Sequence, residues 1–219
     1  MFYEPEKKNH GLKHTPYKSC IVPRPIGWIS TVSPAGRVNL APYSQFNNLG
    51  YEPGWLMFSA GGQHPDGHRK DSVINAEATG EFVYNMATYA LRDAVNHTAQ
   101  IIDSSIDEMK AAGLTPVPSR LVKPPRVAES PINIECKYYT TLVLPGDTHH
   151  TTHYVVVGKV IGVHIKDEYL TPDGKVDVVK IRPLARLGYL DYTSIESSFS
   201  LSVKEEVREF MTVGMSGGL

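Results

Sequence analysis

Three long stretches rich in β-branched and aromatic residues, Ile132–Leu144, His153–Ile165 and residues 176–190, fill most of the second half of the chain. Runs of this kind are used most readily by a sheet with a buried face. Pro172-Asp173-Gly174 supplies a turn between the last two. Ahead of them, residues 113–131 carry Pro116, Pro118, Pro124, Pro125 and Pro131. A proline lacks the amide donor and clashes with the preceding helical turn, so this connection is extended and loop-like. It does not read as a domain boundary, and the 219 residues are expected to form one domain.

In the first half, residues 26–32 form a β-type run broken by Ser33-Pro34-Ala35-Gly36-Arg37 before a second extended run at 38–41, which predicts a hairpin. Residues 55–60 and Glu81–Met86 predict two more strands. Between these lies a helix opened by Asp71 or Ser72 as a side-chain cap and closed at Gly80, with Val73, Ile74 and Ala78 on its apolar stripe. Further helices are expected over 88–100, 106–112 and 200–211. Strands outnumber helices without alternating regularly with them, and no internal repeat is present. The expected fold class is mostly β with appended helices, a barrel rather than a doubly wound sheet.

Lys and Arg number 22 against 23 Asp and Glu, so there is no global field to hold a polyanion, and nucleic acid and acidic membranes are poor partners. Neither a signal-peptide core nor an apolar run long enough to span a bilayer occurs, and Cys20 and Cys136 stand in no metal-ligand spacing. A cytoplasmic protein is expected. GxxxxGK[ST], GxGxxG, GxSxG and HExxH are all absent, which turns attention to chemistry carried by a cofactor. His149, His150 and His153 offer imidazoles to a metal, but their surroundings are those of a loop entering a strand. His64 and His68 flank Pro65 and Gly67, which points to loop positions.

Two segments point to a ligand. His68-Arg69-Lys70-Asp71-Ser72 places two cations before a helix start, where free amides and the positive dipole end suit a phosphate. An ordinary charged turn accounts for the same spacing. Residues 25–31 and 39–47 interleave hydroxyl and amide side chains with aromatics, as the faces and edges of a flat heteroaromatic ring require, although Trp28 and Phe46 equally suit a core.

The ordered blocks PRPIGWISTVSPAGRVNLAPYSQFN, WLMFSA, RKDSVINAEATGEFVYNM, DEMKAAGLTPVPS, KPPRVAESPINIECK, VVVGKVIGVHI and RPLARLGYLDY, over roughly residues 20 to 192, resemble the flavin reductase-like domain family. The resemblance implies an FMN-binding split β-barrel, a homodimer with FMN near the dimer interface, and reduction of flavin by NADH, NADPH or another electron donor. It places Trp28, Ile29, Ser30 and Thr31 along the flavin, partly through their backbone, with Ala41, Ser44, Phe46 and Asn47 near the ring and ribityl chain. Ser59 and Ala60 then continue the groove, Arg69, Lys70 and Ser72 hold the phosphate, and Tyr192 contacts ligand or partner chain. No residue is implied as acid, base or nucleophile. Three departures stand out: Ser72 where Thr is usual, Tyr189 where a second Gly is usual, and a longer loop over 61–67. Three functions follow as expectations: an NAD(P)H-dependent flavin reductase, an FMN electron-transfer protein without its own nicotinamide site, and a metal-binding module on His149, His150 and His153.

Overall fold

Ser33 N–H donates to the Arg37 carbonyl and Gly36 N–H to that of Ser33, closing the turn between β2 (Gly27–Val32) and β3 (Val38–Tyr43). The expected first hairpin is therefore present. The computed structural model describes residues 1–64, 67–100, 103 and 105–201. The expected helix over 200–211 lies almost wholly outside them.

Ahead of β2 lies the short β1 (Arg24–Pro25). Beyond β3 come β4 (Phe46–Tyr51), β5 (Gly54–Gly61) and β6 (Glu81–Met86), then β7 (Pro116–Val117), β8 (Arg126–Val127), β9 (Ile132–Leu144) and β10 (His153–Ile165). β11 (Leu184–Gly188) and β12 (Asp191–Ser194) close the series. Seven of these form one antiparallel sheet in the order β3-β2-β6-β9-β10-β5-β4. Its two edge strands are neighbours in sequence, separated only by Ser44 and Gln45. The sheet must therefore curl until its edges meet, and contacts across the gap record this. Tyr43 on β3 stacks on Phe58 of β5 with ring centroids 5.2 Å apart, and Phe46 on β4 fills the space beside Gly27 of β2, where a Cβ would lie 2.4 Å from its ring. The product is a split barrel, with the split between β3 and β4.

Period-2 alternation sends Ile29, Phe58, Phe82, Tyr84, Cys136 and Val156 to the barrel interior. One edge of that interior is covered by α1 (Asp71–Thr79), whose Val73 and Ala76 are fully buried against it. The opposite face of β2 presents Ile26 and Trp28 to a second cluster with Val95 of α2 (Arg92–His97), Met109 of α3 (Glu108–Ala111) and Leu184. Each fully buried large side chain contributes about 1.5–3 kcal/mol.

The proline-rich segment has no helix, as expected, and makes only the β7–β8 pair. Two carboxylates from the sheet hold it. Glu135 accepts from the amides of Arg120 (2.8 Å) and Leu121 (2.6 Å) and from His164 Nε2 (2.5 Å), and Glu81 accepts from Lys123 N–H (2.8 Å) and Lys137 Nζ.

Residues 176–190 are not one strand. α4 (Val178–Ile181) opens on Asp177, whose carboxylate accepts from Lys180 N–H, and ends at Arg182, which has a left-handed φ of 54°; Pro183 then bars a ladder donor before β11 begins. β1, β11 and β12 form a separate small sheet. Among the described residues no helix is long and apolar enough to cross a membrane.

Candidate functional site

The first turn of α1 is tied to the barrel by a buried amide and hydroxyl network. Asn39 Nδ2 donates to Ser72 Oγ (2.9 Å) and Thr31 Oγ1 (3.3 Å), and Asn75 Nδ2 donates to Thr31 Oγ1 (3.1 Å). Thr31 and Ser72 have no exposed surface. Their hydroxyls therefore fix where the helix mouth sits rather than lining a groove. Asn39 opens the stretch 39–47 read as interleaving amides with aromatics, but its tie to the helix mouth was not foreseen, and Asn75 escaped notice because a lone Asn in a helix carries no spacing signal.

The expected side-chain cap is absent. The N-cap position is Lys70, with extended backbone and no capping hydrogen bond, while Asp71 and Ser72 are the first two helical residues. A helix start without a side-chain acceptor keeps its amide donors for another partner. Lys70 lines a cleft of about 80 Å³ with Asn39, Ala41, Tyr43, His64 and Glu108. Its ammonium makes no hydrogen bond or ion pair among the described residues; burial lowers its pKa and the Asp71 charge opposes that shift. His64 Nε2 lies 3.3 Å from Asp71 Oδ2. Burial pushes the Tyr43 hydroxyl up, with Asp71 and Glu108 adding to it and a hydrogen bond from Ser72 opposing it. Glu108 accepts from Leu40 N–H (3.1 Å) and is itself raised, first by burial.

Arg69 is oriented elsewhere. It forms a bidentate pair with Glu77 (3.0 and 2.7 Å) and lies 5.1 Å over the Tyr154 ring, and this pairing raises its pKa further. Glu77 was not singled out in the sequence; it lies eight residues on, within α1, while Arg69 precedes that helix.

The remaining expected positions divide between core and surface. Trp28 is sealed in the outer core, donating from Nε1 to Thr98 Oγ1 (2.9 Å), and Ser30 donates to the Pro125 carbonyl (2.6 Å). Ile29 and Ala60 are buried inside the barrel, and Phe46 stacks on Tyr84 at 4.7 Å. Ser59 is buried with Oγ 3.5 Å from His153 Nδ1. Asn47 is exposed on β4, where its side chain accepts from Asn48 N–H. Ser44, with Gln45, lines a second pocket of about 480 Å³ together with Tyr17, Arg24, Arg186 and Tyr189. Tyr192 lies beyond that pocket, clasped by Arg186 through its hydroxyl and at 4.5 Å over its ring.

His149 and His150 sit in an exposed turn, whereas His153 packs on Gly61 across the β10–β5 pair. Among the described residues no group of three or more His, Cys, Asp or Glu is placed to hold a metal ion.

The profile of the flavin reductase like domain matches residues 19–184. An uncharacterized protein of Halalkalibacterium halodurans is 36% identical over 181 residues, which span 83% of this chain and 86% of that protein. Another, of Aquifex aeolicus, is 36% identical over 183 residues, 84% of this chain and 90% of that one. Among solved structures, nitrilotriacetate monooxygenase component B of Bacillus cereus superposes with a TM-score of 0.82 at 27% identity, covering 92% of this chain and 98% of that one. Flavoredoxin of Desulfovibrio vulgaris superposes at 0.70 with 19% identity, over 91% and 98%, a likeness of fold alone.

Proposed function

This chain belongs to the flavin reductase-like domain family, and on that footing we propose that it is an FMN-binding oxidoreductase of the flavin reductase type, reduced by NADH or NADPH. The observation that carries the proposal is Lys70: an ammonium without an ion pair among the described residues, at an uncapped helix start, facing a cleft beside β3. That combination fits a phosphate. The cleft, at about 80 Å³, suits the phosphorylated tail and not a tricyclic ring. A ring fits the wider space at the Ser44–Gln45 bend, reached by following β3 from Ala41 through Tyr43.

FMN supplies the hydride-accepting chemistry when bound, which is why no acid, base or nucleophile is needed from the chain. Lys70 holds the tail, while Asn39, Thr31 and Asn75 keep the α1 mouth in register with β3. Trp28, Ile29, Ser30, Phe46 and Ala60 shape the strands from behind, and Ala41, Ser44 and Asn47 stand along the path of the ligand. Arg69 acts through its pair with Glu77, bracing the segment that carries Lys70. Exposed Leu49 and Tyr51 on the edge strand β4 favour a homodimer covering that edge. Free thiols at Cys20 and Cys136 favour a reducing, cytoplasmic setting.

Flavin fluorescence tests the assignment. Titration of FMN with protein quenches it to saturation, and Lys70→Ala weakens the affinity about 10-fold or more, the loss of one charge-assisted contact. Arg69→Ala weakens it less. NADH or NADPH then bleaches the bound flavin. Absence of quenching refutes the proposal; quenching without bleaching leaves the electron-transfer function instead.

A further inference from the structure

A pocket of about 500 Å³ opens where the proline-rich segment meets the end of β10. Arg120 and Arg126 line it from the segment, and His164 and Lys166 from the strand end, with no carboxylate among its lining residues. It shares no residue with the Lys70 cleft or with the space at the Ser44–Gln45 bend, and β5 and β4 separate β10 from the seam of the barrel. Three of its side chains are permanent cations, and none of them has an ion pair among the described residues. The Arg120 guanidinium makes no hydrogen bond there, and Lys166 Nζ meets only the Glu129 carbonyl (3.2 Å). Arg126 donates from Nε and Nη2 to the Pro118 carbonyl (3.3 and 3.1 Å), which fixes the guanidinium plane and leaves its Nη1 end for a ligand. The carboxylates of this region are engaged elsewhere: Glu129 accepts from Thr115 N–H, and Glu135 from the amides of Arg120 and Leu121 and from His164. Like charges gathered in one concavity repel, and in a chain with 22 basic and 23 acidic residues this local surplus does not follow from composition. An anion offsets it.

We propose that this pocket binds a phosphomonoester through Arg120, Arg126 and Lys166. A phosphate carries about two charges and three acceptor oxygens, which matches a cluster of cations better than a carboxylate does. The volume lies within the range of about 300–1,000 Å³ usual for small-molecule sites, so an organic body fits beside the phosphate, against Val117, Val163 and Ile165. The site is independent of the FMN assignment, whose phosphate is held at Lys70.

Calorimetric titration of FMN-saturated protein with phenyl phosphate, inorganic phosphate and benzoate tests this, because saturation with FMN fills the Lys70 cleft beforehand. Saturable binding of phenyl phosphate is expected, weakened about 10-fold or more by Arg126→Ala and by Arg120→Ala. The Arg120 variant keeps the main-chain amide that bonds Glu135, so its fold is not in question. Arg126→Lys, which keeps the charge and loses the fork, recovers part of the affinity, and Lys175→Ala, a cation outside the pocket, changes nothing. Inorganic phosphate binding as tightly as phenyl phosphate also supports the site and identifies free phosphate as its ligand. No saturable binding of either phosphate overturns the proposal, as does benzoate binding equally well, or phosphate binding that both arginine variants leave unchanged. A matching loss of FMN affinity in those variants overturns it too, by making the pocket part of the flavin site. Should the protein bind no FMN, the earlier assignment fails by itself, and the same titrations on flavin-free Lys70→Ala still decide whether this pocket takes a phosphate.

Discussion

Glu135 is the fully buried carboxylate on which the proline-rich segment depends, and Glu135→Gln tests how much. One oxygen serves Arg120 N–H and His164 Nε2, and the other serves Leu121 N–H at 2.6 Å. An amide can keep only one of these oxygens; its NH2 must face a donor. If the oxygen stays with Arg120 and His164, the Leu121 amide loses a charge-assisted bond and faces the variant's NH2 instead. The expected loss is about 1.5–3 kcal/mol. With a urea slope of about 2 kcal/mol per molar, the unfolding midpoint falls by about 1 M. Hydrogen exchange reads the same site directly: the Leu121 amide is protected in the native protein and exchanges freely in the variant. A stability change below about 1 kcal/mol with the Leu121 amide still protected would refute the reasoning.

Burial by itself raises Glu81 and Glu135, but Lys137 with Lys123 N–H, and Arg120 N–H with His164 and Leu121 N–H, hold both carboxyls below their ordinary values. Their stabilisation is present above the unfolded carboxylate value of about 4.3 and is lost as pH falls through the folded values, so the urea midpoint should drop between about pH 5 and pH 3. A midpoint flat over that range contradicts this. Glu108 has the opposite sign: its folded value is raised, so its contribution is present below the unfolded value and lost as pH rises through the folded one. The melting temperature of Glu108→Gln relative to the unaltered protein should rise from about pH 4 to pH 7. In Gly158→Ala the new Cβ would lie 2.4 Å from the ring of Phe82, which is fully buried, and the expected cost is about 1–3 kcal/mol, partly recovered by Phe82→Leu in a double-mutant cycle.

The long strands were legible because their burial follows composition: Glu81–Met86, Ile132–Leu144 and His153–Ile165 stand where β-branched and aromatic residues cluster. The helix expected over 88–100 shrinks to Arg92–His97 because Tyr89–Leu91 takes a tighter turn whose Tyr89 N–H bonds the Arg182 carbonyl, a tertiary contact no local pattern announces. The one expected over 106–112 reduces to Glu108–Ala111, capped by Asp107. β4 was not among the expected strands: Asn47, Asn48 and Gly50 are residue types depleted in strands, and only the bend at Ser44–Gln45 separates it from β3. At the candidate site, Lys70 was singled out from charge and its place before a helix, and Ala41 from the family resemblance. Arg69 was legible as a cation but not as the partner of Glu77, since a sequence shows charge and not direction.

Because β3 and β4 are the two free margins of the sheet, the line where they meet carries no ladder of amide-to-carbonyl bonds from one to the other. A flat guest sliding in there unzips nothing, whereas the same guest between any two paired strands would have to break a rung for every residue it displaced. The open seam is thus the one place in the wall where the protein can admit a ring and keep its skeleton intact.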